Sequence, residues 1–327
     1  MSNDSSVSRK LLLAEVIKRG YKYDYMENVD ERMIRVRANG KVSIFFGTRP
    51  SLSSANGMII AIRKSMTYEF IKASGYNPLP YALIEKNLDD AYDFLKKHRK
   101  IVVKPSNASQ SAGVTANVTN DSLLREALQF AFEHSQSVVL QKQAEGQLYR
   151  LLFVGGKLFA ASRLVAASVT GDGIRTIEDL VREENKSPYR GNSDSAPLKT
   201  LNFELVSASI APLTLVDVLE KDKILFLSDI PSLSRGGETE DVTEKVHESY
   251  AEIFGTMVTE LGQTVCAVEL ITKDIATFHE GQLPVIEFNS SPGTRPHLYP
   301  TLGGIPRNPI PAILDLVFES TPNTLQK

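Results

Sequence analysis

The stretch Val285 to Gly293, reading V-I-E-F-N-S-S-P-G, constrains this chain more than any other. Val285, Ile286 and Phe288 favour a strand. Side chains of a strand alternate with period two, so Glu287 and Asn289 project from one face. A carboxylate and an amide oxygen then share a neighbourhood, and hard oxygen donors of this kind suit Mg²⁺. A half-buried strand with a polar outer face carries the same pair. The pattern alone therefore leaves both readings open, and the rest of the chain has to decide between them.

With 327 residues the chain is long enough for two domains or one domain with lobes. Its net charge of -2 supplies no basic field for nucleic acid or an anionic membrane, which leaves small molecules as the expected partners. Cys266 is the single cysteine. It sits in the run Val265-Cys266-Ala267-Val268, which predicts a buried, inert thiol and a reducing, cytoplasmic setting. The apolar run Leu11 to Ala14 is ended by Glu15, too short for a signal-peptide core or a membrane span.

In chain order, the first eight or so residues read as polar and loose. Lys10 to Arg19 reads as a helix stopped by Gly20. Met33 to Val36 and Val42 to Phe46 flank Asn39-Gly40, a hairpin signal because that pair accepts positive φ. One helix is expected over 57–74, with Lys64 inside it, either a solvated charge or part of a site. Leu88 to His98 and Asp121 to Phe132 are helical by spacing. Ile101 to Pro105 is a strand carrying Lys104, and the small residues that follow make a loop whose N–H groups can close over phosphate. Ser137 to Leu140, Leu151 to Val154, Lys157 to Ala161 and Ile224 to Leu227 read as strands. A helix starts at Thr176, the segment 191–197 reads as a mobile loop, and Thr243 to Leu261 reads as one long amphipathic helix. Val265 to Ile271 is a buried strand carrying Glu269. Interspersed strands and helices predict an α+β, mixed α/β chain.

The ordered set Lys64, V-V-K-P at Val102 to Pro105, the small-residue loop, E-G-Q-L-Y-R at Glu145 to Arg150, V-T-G-D-G-I-R-T-I-E-D-L at Val169 to Leu180, L-S-R-G-G at Leu233 to Gly237, Glu269, E-F-N-S-S-P-G and H-L-Y-P at His297 to Pro300 resembles the ATP-grasp ligases. Within them the chain is most similar to the ATP-grasp half of cyanophycin synthetases and of bifunctional glutathione synthetases, from about Ser8 to Leu316. The resemblance implies an ATP-grasp fold in which two lobes with antiparallel or mixed sheets clasp ATP. A small N-terminal pre-ATP-grasp domain (1–62) would precede a nucleotide-lid lobe (63–145) and a C-terminal catalytic lobe (146–327).

By the same resemblance, the activity is an ADP-forming carboxylate–amine ligation. A carboxylate takes the γ-phosphate, and an amine attacks the acylphosphate. ATP and two Mg²⁺ ions, with Mn²⁺ able to substitute, are the implied cofactors. Lys64, Lys104, Ser109, Gln110, Ser111, Gly113, Gln141, Lys142 and Glu145 would contact the nucleotide, and Glu269, Glu287 and Asn289 would hold the metal. Arg235, Gly236, Gly237 and Arg150 fall at catalytic positions. Arg150, Arg163 and Arg295 are candidates for gripping substrate carboxylates, since a guanidinium binds these bidentately, and His297 is a candidate substrate contact. Each of these arginines is equally suited to a structural ion pair, and His297 to a packed loop position. The implied partners are amino acids or short peptides, and the implied assembly a dimer or tetramer.

Several positions depart from the family pattern. Gln141 and Leu148 stand where acidic residues are usual, Ala108 and Ser111 where glycine is, and Glu269 where aspartate is commoner. Losing a charged acceptor for the ribose weakens nucleotide binding by roughly 1.5 to 3 kcal/mol if nothing substitutes; Glu145, three positions before Leu148, is the nearest replacement. These departures keep open a nucleotide-binding protein that has lost catalysis. A ligase acting on a ribosomally made precursor peptide is the third reading. The accompanying Mur-ligase-like and glutamate–cysteine ligase domains of the two relatives have no counterpart in the sequence, which leads to the expectation of a stand-alone ligase.

Overall fold

Turn chemistry and period-two alternation build the first layer. The computed structural model describes residues 3–26, 30, 32–85, 87–107, 112–191, 196 and 198–319, with backbone alone for 3–6. Helix α1 (Asn3–Lys18) precedes an antiparallel sheet of β1 (Lys22–Tyr25), β2 (Met33–Ala38), β3 (Lys41–Phe46) and β4 (Arg49–Pro50). Asn39 and Gly40 both take positive φ, 51° and 73°, the geometry that a two-residue hairpin matching strand twist requires. The helix begins well before Lys10, contrary to the loose segment expected there. Val7 and Ser8 are buried, and the Ser8 hydroxyl lies 3.1 Å from that of Thr294, docking the first turn.

Next come α2 (Ala55–Ile62) and α3 (Lys64–Ala73), where one continuous helix was expected. Arg63 is extended (φ −97°, ψ 107°), and the Lys64 N–H goes to the carbonyl of Ser106, 3.1 Å away. A tertiary hydrogen bond has replaced a helical one. Lys64 thereby becomes the first residue of a helix rather than an interior one. The second sheet contains β5 (Tyr81–Ile84), β6 (Ile101–Pro105), β7 (Thr115–Val118) and β8 (Val138–Lys142), in the order β5-β8-β6-β7. Helices α4 (Asp89–His98) and α5 (Asp121–Phe132) cover it through Ala91, Leu95, Leu124, Leu128 and Ala131.

Strands β9 (Gln147–Val154) and β10 (Lys157–Val165) start the central sheet. An excursion follows: β11 (Ser168–Thr170), α6 (Ile177–Glu184), α7 (Phe203–Ser209) and β12 (Ile224–Phe226), with a small core of its own around Ile177, Val181, Leu201 and Leu219. The Thr176 hydroxyl accepts from the Asp179 N–H at 3.2 Å and donates to its carboxylate at 2.8 Å. Thr176→Ala is expected to lower stability by about 1 kcal/mol through loss of this cap, measurable by urea denaturation.

The chain returns as β13 (Glu238–Asp241), α8 (Glu248–Glu260), β14 (Val265–Thr272) and β15 (Val285–Asn289), completing the antiparallel order β13-β10-β9-β14-β15. The long helix expected from Thr243 is interrupted. A 3₁₀ turn spans Thr243–Lys245, and His247 is extended, donating its N–H to the Ile275 carbonyl at 3.0 Å. Short helices α9 (Arg295–Leu298) and α10 (Ile310–Leu314) and a π-helical turn (Asp315–Glu319) end the described chain.

The central sheet is buried on both faces. Leu151, Phe153, Cys266, Val268 and Phe288 pack with Tyr68, Tyr250, Phe254 and Met257. On the other face Leu152, Ala160, Val265 and Ala267 pack with Leu12, Ile34, Phe45, Ile313 and Phe318 of the terminal segments. Burial pushes the Cys266 thiol up to about 12, which makes it inert. No described helix is long and apolar enough to cross a membrane.

Candidate active site

Strand register, not sequence proximity, assembles the polar site. Asp241, Ser162, Arg150, Glu269 and Glu287 are successive cross-strand partners on β13, β10, β9, β14 and β15. Directly opposed residues share a face, so the five form one polar row across the sheet. Asn289 lies on the same face, opposite Ala267. Between Glu287 and Val285 the register slips, leaving Ile286 unpaired in a bulge. A bulge re-aims side chains. Val285 and Glu287 differ by two positions, yet one enters the core and the other joins the polar row.

Glu287 is partly exposed and its carboxylate lies 3.8 Å from the Lys64 ammonium. Desolvation first, and the neighbouring Glu269 second, push its carboxyl above the usual carboxylate range, against the pull of Lys64, Arg150 and Lys104. Glu269 accepts from Arg150 Nε at 2.8 Å and from Arg150 Nη2. The Asn289 amide oxygen accepts the Ser291 N–H at 3.0 Å. Two opposed carboxylates beside an amide oxygen are a hard-oxygen donor set. The raised Glu287 carboxyl marks a place where further positive charge is favourable, so these residues fit a divalent cation.

From the second sheet, Lys104 reaches the same edge. It is 3% exposed and donates to Tyr68 Oη and to Gln141 Oε1, both at 2.7 Å. Burial, then Lys64, lowers its ammonium to about 7, partly offset by Glu287 and Glu269. Gln141 is thus turned inward toward Lys104. Lys142 is exposed, and Glu145 is exposed, 3.5 Å from Lys273 in a surface pair. Ser109, Gln110 and Ser111, together with Ala108, lie outside the described residues. Gly113 has φ 68° and would bring a Cβ within 2.7 Å of His134 and Pro105.

At the other end of the row, the Ser162 hydroxyl donates to the Pro296 carbonyl (3.1 Å), so its oxygen accepts from His297 Nδ1 at 2.8 Å. His297 Nε2 is then a buried acceptor without a partner among the described residues. Desolvation, reinforced by Arg150, lowers the imidazole to about 3 from its ordinary 6.5. A neutral buried histidine that charges on unfolding destabilises the fold as pH falls from 6.5 toward 3. His297→Gln is expected to flatten that acid limb in a series of thermal melts.

Not every candidate joins this row. Arg163 neighbours Ser162 but faces the opposite side, where it pairs with Glu240 at 2.8 Å. Arg295 is buried on α9 and donates to the Ala196 carbonyl. Arg235 ends a 3₁₀ turn capped by Gly236 in the left-handed conformation (φ 81°). A Cβ on Gly237 would lie 2.8 Å from the carbonyls of both Ser232 and Val165, so that position demands glycine. A cavity of about 730 Å³ between the 155–156 turn and α8, lined by Gly156, Leu158, Gly255 and Thr259, involves none of the predicted residues.

Two contributors escaped the sequence reading. Tyr68 shares a face of α3 with Lys64, and that i, i+4 spacing is the signal that would have found it. Arg190 Nη1 donates to the carbonyls of Gly236 (2.9 Å) and Lys199 (3.1 Å), steadying the Arg235 turn. Nothing local in the sequence distinguishes it.

No protein-family profile matches the chain. The chain is 30% identical over 308 residues to the glutathione biosynthesis bifunctional protein of Streptococcus mutans, covering 90% of this chain and 40% of that protein. To the cyanophycin synthetase of Trichormus variabilis it is 30% identical over 269 residues, covering 80% and 30%. The crystal structure of a bifunctional glutathione synthetase from Pasteurella multocida superposes with a TM-score of 0.68 at 25% identity, over 95% of this chain and 43% of that one. The chain thus spans well under half the length of these relatives. Similar sequence along most of the chain, together with the shared architecture, gives it the ATP-grasp fold and relates it to the matching portions of these enzymes.

Proposed function

We propose that this protein is an ATP-dependent, ADP-forming ligase that joins the carboxylate of an amino acid or short peptide to an amine. The observation that supports this most is the convergence of Lys64 and Lys104 on Glu287, itself opposed by Glu269. Phosphoryl transfer asks a protein for alignment and charge neutralisation rather than covalent chemistry. In this reading Glu269, Glu287 and Asn289 hold Mg²⁺, which supplies neutralisation of the phosphate oxygens. Lys64 and Lys104 bind the phosphates. Arg235, on a turn fixed by Gly236, Gly237 and Arg190, steadies the acylphosphate, and Arg150 orients Glu269. His297, against Ser162, stands at the substrate end of the row. The acceptor is a small molecule, the assembly a dimer or tetramer, and the setting cytoplasmic.

Protein incubated with Mg-ATP and pools of amino acids should yield ADP together with a new amide detected by mass spectrometry. Release of AMP and pyrophosphate would refute the ADP-forming mechanism. A second reading, nucleotide binding without catalysis, draws on Gln141, whose amide is spent on Lys104 and the Val285 carbonyl, and on Glu145, which faces Lys273. Calorimetry separates the two. ATP binding that is indifferent to Mg²⁺ and never followed by ADP favours the second.

A further inference from the structure

The bulge that directs Glu287 leaves Ile286 without a partner in the β14–β15 register, while Val285 stands opposite Leu270, and the carbonyls of Val285 and Ile286 are both hydrogen-bond acceptors. Both are taken by side chains from elsewhere. The Tyr68 hydroxyl donates to the Ile286 carbonyl at 3.0 Å, and Gln141 Nε2 donates to the Val285 carbonyl at 3.3 Å. The same two side chains accept the Lys104 N–H groups, each at 2.7 Å. Lys104, Tyr68, Ile286, Val285 and Gln141 therefore close a buried ring. It joins the second sheet (β6 and β8) and α3 to the one irregular point of β15, one residue before Glu287. Tyr68 has a single proton, and burial holds its phenol far above the ordinary value, so it is a constant donor to Ile286 and a constant acceptor from Lys104.

We propose that Tyr68 and Gln141 are positioning residues that fix the bulge at Ile286, and with it the direction of Glu287, to the placement of Lys104. The inference rests on the proposed reading of Glu287 as a metal ligand and Lys104 as a phosphate contact. Its consequence is that the two contacts are set together. A nucleotide that engages Lys104 meets Glu287 already aimed, and loss of either link in the ring releases Glu287 without altering its chemistry.

The test uses the full chain, a non-hydrolysable ATP analogue and titrated Mg²⁺, with binding followed by calorimetry. Tyr68→Phe removes one oxygen and keeps the ring packed against Tyr81, 4.7 Å away. Mg²⁺ should strengthen analogue binding to the wild type, and Tyr68→Phe should reduce that enhancement by about tenfold or more, the size expected for a hydrogen bond to a charged group. In a Glu287→Gln background Tyr68→Phe should have no further effect on the enhancement, because it acts through Glu287. A purely structural tyrosine would lower the melting temperature, and its effect would add to that of Glu287→Gln. Additivity overturns the proposal. Gln141→Met, which breaks the other half of the ring, carries the same cycle if Tyr68→Phe folds poorly. A wild type whose analogue binding ignores Mg²⁺, or a Glu287→Gln variant that keeps the full enhancement, overturns the reading of the site itself and is distinguishable from additivity.

Discussion

Glu287→Gln is expected to lower turnover of the proposed ligation by about a hundred- to a thousandfold, the scale on which a single electrostatic contributor to a transition state acts, while leaving the fold intact and slightly stabilised. The sign follows from linkage. The Glu287 carboxyl is held above its ordinary range by burial and by Glu269, so the folded protein keeps this proton to higher pH than the unfolded chain does. Where the native state binds more protons, stability falls as pH rises. The wild type therefore loses stability on passing from the ordinary carboxylate range up through the raised value, and glutamine, which cannot ionise, escapes the loss. Thermal melts of metal-free protein at pH 7 should place the variant above the wild type. The gap should close in acid, where both side chains are neutral. Full activity in the glutamine variant would remove Glu287 from the site.

Arg150→Leu should cost about 3 to 5 kcal/mol of stability in metal-free protein, the usual result of leaving a buried charge without its partner. Arg150 and Glu269 are cross-strand neighbours with side chains only 15% and 11% exposed, joined through Nε and Nη2. Removing the guanidinium strands the Glu269 carboxylate in a low-dielectric setting. Two measurements separate this from simple loss of packing. The double variant Arg150→Leu with Glu269→Gln should recover much of the loss, since the uncompensated charge is gone. Mg²⁺ should also recover stability in the single variant but not in the double one, if Glu269 is a metal ligand. Urea denaturation with and without Mg²⁺ reads both.

The polar row has a direction that bears on how the chemistry is organised. One end, at Glu287, is where Lys64 and Lys104 arrive from α3 and the second sheet. Its opposite end, at Ser162 and Asp241, is roofed by α9 and the following loop, with His297 against Ser162 and Arg307 donating to Asp241 at 3.1 Å. Arg150 and Glu269 sit between. Rigid strands position such groups more accurately than loops do.

Features that depend on near neighbours along the chain were legible before any fold was known. Period-two alternation put Glu287 and Asn289 on one face. Asn39-Gly40 specified a tight hairpin, and helical spacing predicted Asp121–Phe132 to the residue. The order of short motifs carried the resemblance to ATP-grasp ligases. Features that depend on register between segments far apart emerged with the folded chain alone. Glu269 meets Arg150, 119 positions away, because β14 pairs with β9 in one register and not the adjacent one. A slip of one residue would have reversed every face. The bulge at Ile286, the inward turn of Gln141 and the break at Arg63 belong to the same class. Each exchanges a local hydrogen bond for a distant one, and a distant partner leaves no periodicity in the sequence that precedes it.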